Sequence, residues 1–309
     1  MRISFALTYE NPLKNIFLKQ KDLRHLQDAI SQGKGLLDPS DNPLNWASAM
    51  NLKTAVAKAE QWKKNIDFGT NWNNTTEGYL SHLDDLLTRA REIAIKAIKI
   101  NSSETTASYV KELDQIIREA IMVANAKYQN RYIFSPNTDP TNPLFDLKEN
   151  GETDITDPAN PRQMSESLDI AVGENTFIRV NVDGKRLFFD DFDDHQNNQN
   201  NSILSNLLNL KDAVKRGDTN KISDAMGKIE NDQSRVLEAL TTVGATLNRL
   251  EARRNALDTI TISQQERIGE LEETDMAKLI TDYQLTATAL QAIYQSTARV
   301  TGLSLLQYL

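Results

Sequence analysis

The chain has no cysteine among its 309 residues. That absence removes disulfides, thiolate nucleophiles, iron-sulfur clusters and Cys-ligated zinc together, and leaves noncovalent packing to stabilise the fold. Proline is scarce and unevenly placed: Pro136, Pro140, Pro143, Pro158 and Pro161 are five of the eight, and none follows Pro161. A helix-interior proline costs about 3 kcal/mol, so the last 148 residues are free to be helical and the 136–161 stretch is not. Long apolar runs are missing as well. No window approaches the roughly 18 to 20 apolar residues of a membrane span. The opening MRISFALTYENPLK interrupts its apolar residues with polar ones, so no cleavable secretory signal can be drawn there. The expectation is cytoplasmic synthesis, with any export using an uncleaved signal. Positive charge is in deficit: Lys plus Arg total 35 against 43 for Asp plus Glu, a net charge of −8. A general nucleic-acid binder is excluded on that ground, because neutralising phosphates needs a basic surface.

What is present divides by segment. Residues 1–130 carry 17 basic and 15 acidic side chains, residues 131–195 carry 6 and 14, and residues 196–309 carry 12 and 14. The middle segment therefore holds the whole net charge, and the other 244 residues balance at 29 against 29. The apolar period changes there too. Ile178, Val180 and Val182 alternate with Phe177, Arg179 and Asn181, as in a strand. Asp183-Gly184 fits a two-residue hairpin turn, which predicts a return strand over Lys185 to Phe189. Leu168 to Val172, followed by Gly173-Glu174-Asn175, predicts another strand. Residues 131–195 read as a small β-rich insertion, with Gln196 to Asn201 as an exposed linker.

The flanks carry helical periods. From Ile222 to Leu271, positions spaced alternately by four and three are apolar at eleven of fifteen places. A 3.5-residue period held that long describes a coiled-coil seam. Tyr79, Leu83, Leu86, Ala90, Ile93, Ala97 and Ile100 follow the same spacing, and Val110, Leu113, Ile117, Ala120 and Ala124 make a further stripe. Asn101-Ser102-Ser103-Glu104 between them predicts a turn and an antiparallel helical hairpin. Asp38-Pro39-Ser40-Asp41-Asn42-Pro43 stops one helix and starts another, with Asn42 as N-cap and Pro43 as first helical residue.

Both chain ends are amphipathic. Leu13, Ile16, Phe17, Leu23, Leu26 and Ile30 form one stripe, and Met276, Leu279, Ile280, Tyr283, Ala287, Leu290 and Tyr294 form the other. Nets of +3 over residues 1–35 and −3 over residues 270–309 favour pairing of the two ends. The fold class expected is mainly α with a small β-rich insertion, an elongated antiparallel helical hairpin or coiled-coil bundle. Its expected parts are terminal assembly segments over 1–44 and 269–309, a helical rod over 45–130 and 196–268, and the insertion over 131–195.

Residues with catalytic or ligating chemistry form no recognisable site. Asp190, Asp191, Asp193, Asp194 and His195 include metal-ligand types but lack the glycine and terminal glutamate of a calcium loop, so they read as a solvated acidic loop. The other histidines, His25 and His82, lie beside polar positions of helical stripes, outside any nucleophile, zinc or phosphate-loop motif. Trp46, Trp62 and Trp72 fall within 27 residues and suit either core anchors or a subunit contact. The polar faces of the terminal helices are not Lys-rich, which favours helix pairing over membrane binding.

Several segments, taken in order, resemble the flagellin superfamily, and within it the family of hook-filament junction proteins called hook-associated protein three. Met1-Arg2-Ile3-Ser4 is similar to that family's opening, and Leu26-Gln27 through Lys34 with Pro39-Ser40-Asp41-Asn42-Pro43 to its helix-stop-helix motif. Asn42 stands where the family shows Asp. Tyr132-Ile133-Phe134 resembles the entry to its central domain, with Ser135-Pro136 in place of the usual small residue and glycine. Val243-Gly244-Ala245, Asn248-Arg249-Leu250-Glu251, Asp275-Met276-Ala277 and the ending Leu303 to Leu309 resemble its C-terminal helices.

The resemblance implies a structural, non-enzymatic subunit without cofactors, secreted through the flagellar type III export apparatus with the help of an export chaperone. It further implies self-assembly into a ring or tube of the extracellular flagellum, between a neighbouring hook-associated protein and flagellin, with chain ends disordered in the monomer and paired on assembly. The alternatives are a short flagellin that forms the filament itself, a coiled-coil tip or effector protein of another secretion system, and, more distantly, an enzyme.

Overall fold

The computed structural model describes residues 3–99, 103–141, 143–147, 155–156, 163–189 and 202–306. In order these form α1 (Ile3–Gln32), α2 (Pro43–Ile98), α3 (Ser103–Ala124), β1 (Lys127–Tyr128), β2 (Arg131–Tyr132), β3 (Asp146–Leu147), β4 (Ile155–Thr156), a 3-10 turn (Gln163–Ser165), β5 (Asp169–Gly173), β6 (Thr176–Arg179), α4 (Gly184–Phe188), α5 (Ile203–Arg216), α6 (Thr219–Glu272) and α7 (Met276–Leu306). The fold is mainly α with small antiparallel sheets, as expected. Two compact units divide the chain: a central one, Ala59–Leu257, and a terminal one, Met1–Lys58 with Asp258–Leu309. The division falls inside α2 and inside α6.

The heptad pattern becomes the seam of the central unit. Ile222, Ile229, Val236, Val243, Leu250 and Leu257, seven residues apart on α6, are all buried. Met226, Gln233, Leu240 and Leu247 between them are half-buried, and only Arg254 on the stripe is exposed. Arg254 pairs with Asp67, Gln233 Nε2 donates to Thr88 Oγ1 at 2.9 Å, and Arg91 meets Glu230 at 3.4 Å. These three ties hold α2 and α6 antiparallel in a single register. Arg89 with Glu112 and His82 with Glu119 do the same for α2 and α3, symmetric about the 100–102 connection. That connection and Ile100 lie outside the described residues. Leu83, Ala90 and Ile93 of α2 and Leu113, Ile117, Ala120 and Ala124 of α3 are fully buried. A buried polar node adds α5: Asn206 donates to both Asp232 oxygens, and Arg235 bridges Asp232 to the Leu187 carbonyl.

The tryptophans fall on the core side of the two readings to different degrees. Trp72 is fully buried between Phe68 and Tyr128, Trp62 is partly buried against the same core, and Trp46 in the terminal unit is half-buried.

Two local readings of the insertion are corrected. The hairpin is β5–β6, turning through Glu174 and Asn175, where Asn175 has φ 55°. Asp183-Gly184 is no hairpin turn, and Lys185 to Phe189 is no return strand. Asp183 caps α4 by accepting the Arg186 N–H, and is itself held by the Ser165 hydroxyl at 3.0 Å. Gly184 lies so close to the Phe134 carbonyl that a Cβ would come within 2.1 Å of its oxygen. The strand alternation also ends early. Asn181, expected outward, is buried, accepting the Leu168 N–H and donating to the Glu166 and Val182 carbonyls. Phe134, Phe145, Phe188 and Phe189 close this region with ring centroids 5.2 to 6.3 Å apart. The Asp190 to His195 cluster and the 196–201 linker lie outside the described residues. Among the described residues no group of metal-ligand side chains could hold an ion, and no helix is long and apolar enough to cross a membrane.

Candidate assembly surface

The terminal unit is built from α1, the start of α2, the end of α6, and α7. α1 and α7 lie side by side. Gln20 Nε2 donates to Tyr294 Oη at 2.6 Å, and Gly35 N–H, just past α1, donates to the Glu272 carbonyl, just before α7, at 2.9 Å. The pair is therefore antiparallel. α1 ends because Gly33 adopts φ 67°, which lets the Lys34 N–H return to the Ala29 carbonyl. The elbow after it is tied by Asp41: one carboxylate oxygen accepts the Leu37 and Asp38 N–H groups, and the other bonds His25 Nε2 at 2.8 Å. Asn42 Oδ1 accepts the Asn45 N–H, capping α2, which starts at Pro43. Asp275 caps α7 in the same way, accepting from Ala277 and Lys278.

The stripe residues occupy three kinds of position. Leu290 is buried, at 8% exposure. Ile16, Leu23, Leu26 and Ile30 of α1 and Leu279, Tyr283 and Ala287 of α7 are half-buried. Leu13 (63%), Phe17 (61%), Met276, Ile280 and Tyr294 are exposed. Pairing α1 with α7 thus covers only part of each stripe. The stripes also missed apolar surface. Leu18 on α1 and Leu285 on α7, the latter 71% exposed, lie off the three-four spacing, as do Leu44 and Met50 on α2 and Ile260 and Ile262 on α6. The consecutive apolar run Ile16-Phe17-Leu18 was the available signal, since it wraps the apolar face more than halfway round the helix.

The imbalance between the units is large. Among the residues whose burial is described, only Ala29, Leu36, Ala49 and Leu290 of the fifty buried apolar residues belong to the terminal unit, while eleven of the sixteen exposed large apolar residues do. Exposed apolar side chains gathered in one unit make it a candidate protein-contact surface.

Among the residues whose burial is described, one charged group is buried there. Glu272, 8% exposed, receives Lys34 Nζ at 2.6 Å and Lys53 Nζ at 2.5 Å. Burial alone would raise its carboxyl, but hydrogen bonds and charge from Lys34 and Lys53 outweigh burial and hold it below the ordinary glutamate value. No local sequence signal marks this triad, because its members come from three separate segments.

Residues 3–139 match the bacterial flagellin N-terminal helical region. Over 99% of its length the chain is 24% identical to flagellar hook-associated protein 3 of Escherichia coli strain K12, covering 99% of that protein. It is 25% identical to the protein of the same name from Salmonella typhimurium, with 99% of each chain covered. Both of these relatives are matched from end to end. The crystal structure of flagellar hook-associated protein-3 from Legionella pneumophila superposes with a TM-score of 0.60 at 15% identity, over 72% of this chain and 99% of that one. The chain shares that protein's fold at low sequence identity.

Proposed function

We infer that the chain is a structural subunit of the extracellular bacterial flagellum, placed at the hook-filament junction, where it adapts the hook to the flagellin filament. End-to-end similarity to the two hook-associated proteins supports the junction role, and the partly covered α1–α7 pair is the observation that supports a mechanism. A surface with so few buried and so many exposed apolar residues gains most by packing against other subunits, and burying each large side chain contributes about 1.5–3 kcal/mol. Leu13, Ile16, Phe17, Leu23, Leu26, Ile30, Met276, Leu279, Ile280, Tyr283, Leu290 and Tyr294 are the proposed assembly residues. The mechanism is coupled ordering and association without a chemical step: the terminal helices gain neighbours on assembly, offsetting the entropy of ordering them. Passage through the flagellar type III apparatus and guidance by an export chaperone belong to the same proposal, as do contacts with a neighbouring hook-associated protein and flagellin.

A deletion strain tests the role. It is expected to build complete hooks, lack filaments and shed unpolymerised flagellin into the medium. Hooks carrying normal filaments would overturn the reading. Purified protein that grew long filaments by itself on seeds would replace it with a filament flagellin.

A further inference from the structure

Two helix breaks meet in the terminal unit: the α1–α2 elbow at residues 33–42 and the α6–α7 break at residues 273–275. Three contacts join them, each from a different part of one short stretch. The Gly35 N–H donates to the Glu272 carbonyl at 2.9 Å. The Glu272 carboxylate holds Lys34 of the elbow and Lys53 of α2 at 2.6 and 2.5 Å. Gly35 presses on Thr274, where a Cβ would stand only 2.7 Å from the Thr274 Cβ.

We propose that Glu272, clamped by Lys34 and Lys53, is a latch that couples the two breaks into one joint, so that α1 and α7 take up or leave their assembly direction together. The inference builds on the reading of α1 and α7 as assembly segments and names the positioning residue behind them. Its physical basis is the low exposure of the Glu272 side chain, 8%, beneath the two lysines. A buried carboxylate is tolerated only while both ammonium groups are in place, so the contact is made or lost as a whole. The elbow cannot swing away without taking Lys34 from Glu272 and Gly35 from Thr274. The α6–α7 break cannot unwind without removing Glu272 from both lysines.

The test uses the purified full-length chain, limited subtilisin digestion under native conditions, and mass spectrometry to locate the cuts. Glu272→Gln keeps the shape and removes the charge. Cleavage within 33–42 and within 273–275 is expected to accelerate about tenfold, in step at both breaks, while α3 and α5 in the central unit stay protected. Lys34→Met/Lys53→Met is expected to accelerate both breaks similarly, and adding Glu272→Gln to it is expected to bring no further change, because the three groups act as one unit. Acceleration at one break alone, at neither, or effects that multiply in the combined variant would each overturn the latch. The experiment does not depend on flagellar function. Normal filaments in the deletion strain would remove the junction role and leave the latch standing, and a failed latch would leave the junction role standing.

Discussion

At the scale of single residues, Glu272 gives the terminal unit a pH dependence with a defined sign. Burial raises its carboxyl pKa and the Lys34 and Lys53 ammonium groups lower it further than burial raises it, so the folded value lies below the ordinary glutamate value. A depressed carboxyl contributes stability that is fully present above its unfolded pKa and is lost as pH falls through the folded pKa. Amide exchange of the 33–42 segment, corrected for intrinsic rate, is therefore expected to be flat from about pH 7 to about pH 5 and to rise below about pH 4. In Glu272→Gln it is expected to start high and stay flat, and a parallel acid rise in that variant would assign the effect to other carboxylates such as Glu266 or Glu270. Gly184 carries the steric counterpart. A Cβ there would stand 2.1 Å from the Phe134 oxygen, and backbone cannot yield as a side-chain tip can. Gly184→Ala is expected to cost about 3 kcal/mol, at the upper end of overpacking, and to lower the melting temperature of the central unit by about 6–12 °C in calorimetry. The two residues differ from Asn42, whose capping role was legible because its partner, the Asn45 N–H, is three residues away. Gly184 answers to a carbonyl fifty positions earlier, and Glu272 to lysines more than two hundred positions away, so neither role is written in its own neighbourhood.

At the scale of elements, a helix long enough to repeat its pattern many times announces both its type and its buried face. Along α6 every seventh residue from Ile222 to Leu257 is buried, and the one exposed member of the stripe, Arg254, is the arginine that interrupts the apolar series. Leu250→Ala is expected to destabilise the central unit by about 2–5 kcal/mol in urea unfolding, because it opens a cavity against Gly69 and its neighbours. Leu237→Ala on the same helix, at an exposed position, is expected to change stability by no more than about 0.5 kcal/mol. Equal costs at the two sites would show that the seam is not what holds α6. The insertion was less legible for the opposite reason. Its elements are two to five residues long, too short for a period to tell helix from strand. There the deciding features were Asp183 as a cap, Gly184 as a point of close approach and Asn181 as a buried surrogate for backbone pairing, and all three depend on residues brought in by the fold.

At the scale of the whole molecule, charge and apolar surface are sorted into different places. Residues 131–195 hold the entire net charge of −8, and the remaining 244 residues carry 29 basic and 29 acidic side chains. Among the residues whose burial is described, exposed apolar residues concentrate instead in the terminal unit, where few apolar side chains are buried. Subunits that pack closely through neutral apolar helices avoid the like-charge repulsion that acidic faces would impose. The arrangement yields a separation of effects that a stability defect would not produce. Phe17 and Leu285 are 61% and 71% exposed, so Phe17→Ser/Leu285→Ser is expected to leave the monomer's unfolding curve within about 0.5 kcal/mol of the parent. If both side chains are buried between subunits, their loss removes about 3–6 kcal/mol per subunit from assembly, which weakens each contact by two to four orders of magnitude. Electron microscopy of cells carrying the variant is then expected to show bare hooks, with the variant protein and flagellin recovered from the medium. Recovery in the medium matters because it shows that export was intact and retention at the hook was lost. Filaments of normal number and length on these cells would mean that the exposed face of α1 and α7 is not where neighbouring subunits meet, and the assembly contacts would have to be sought on the central unit, at exposed apolar positions such as Met122 or Phe177.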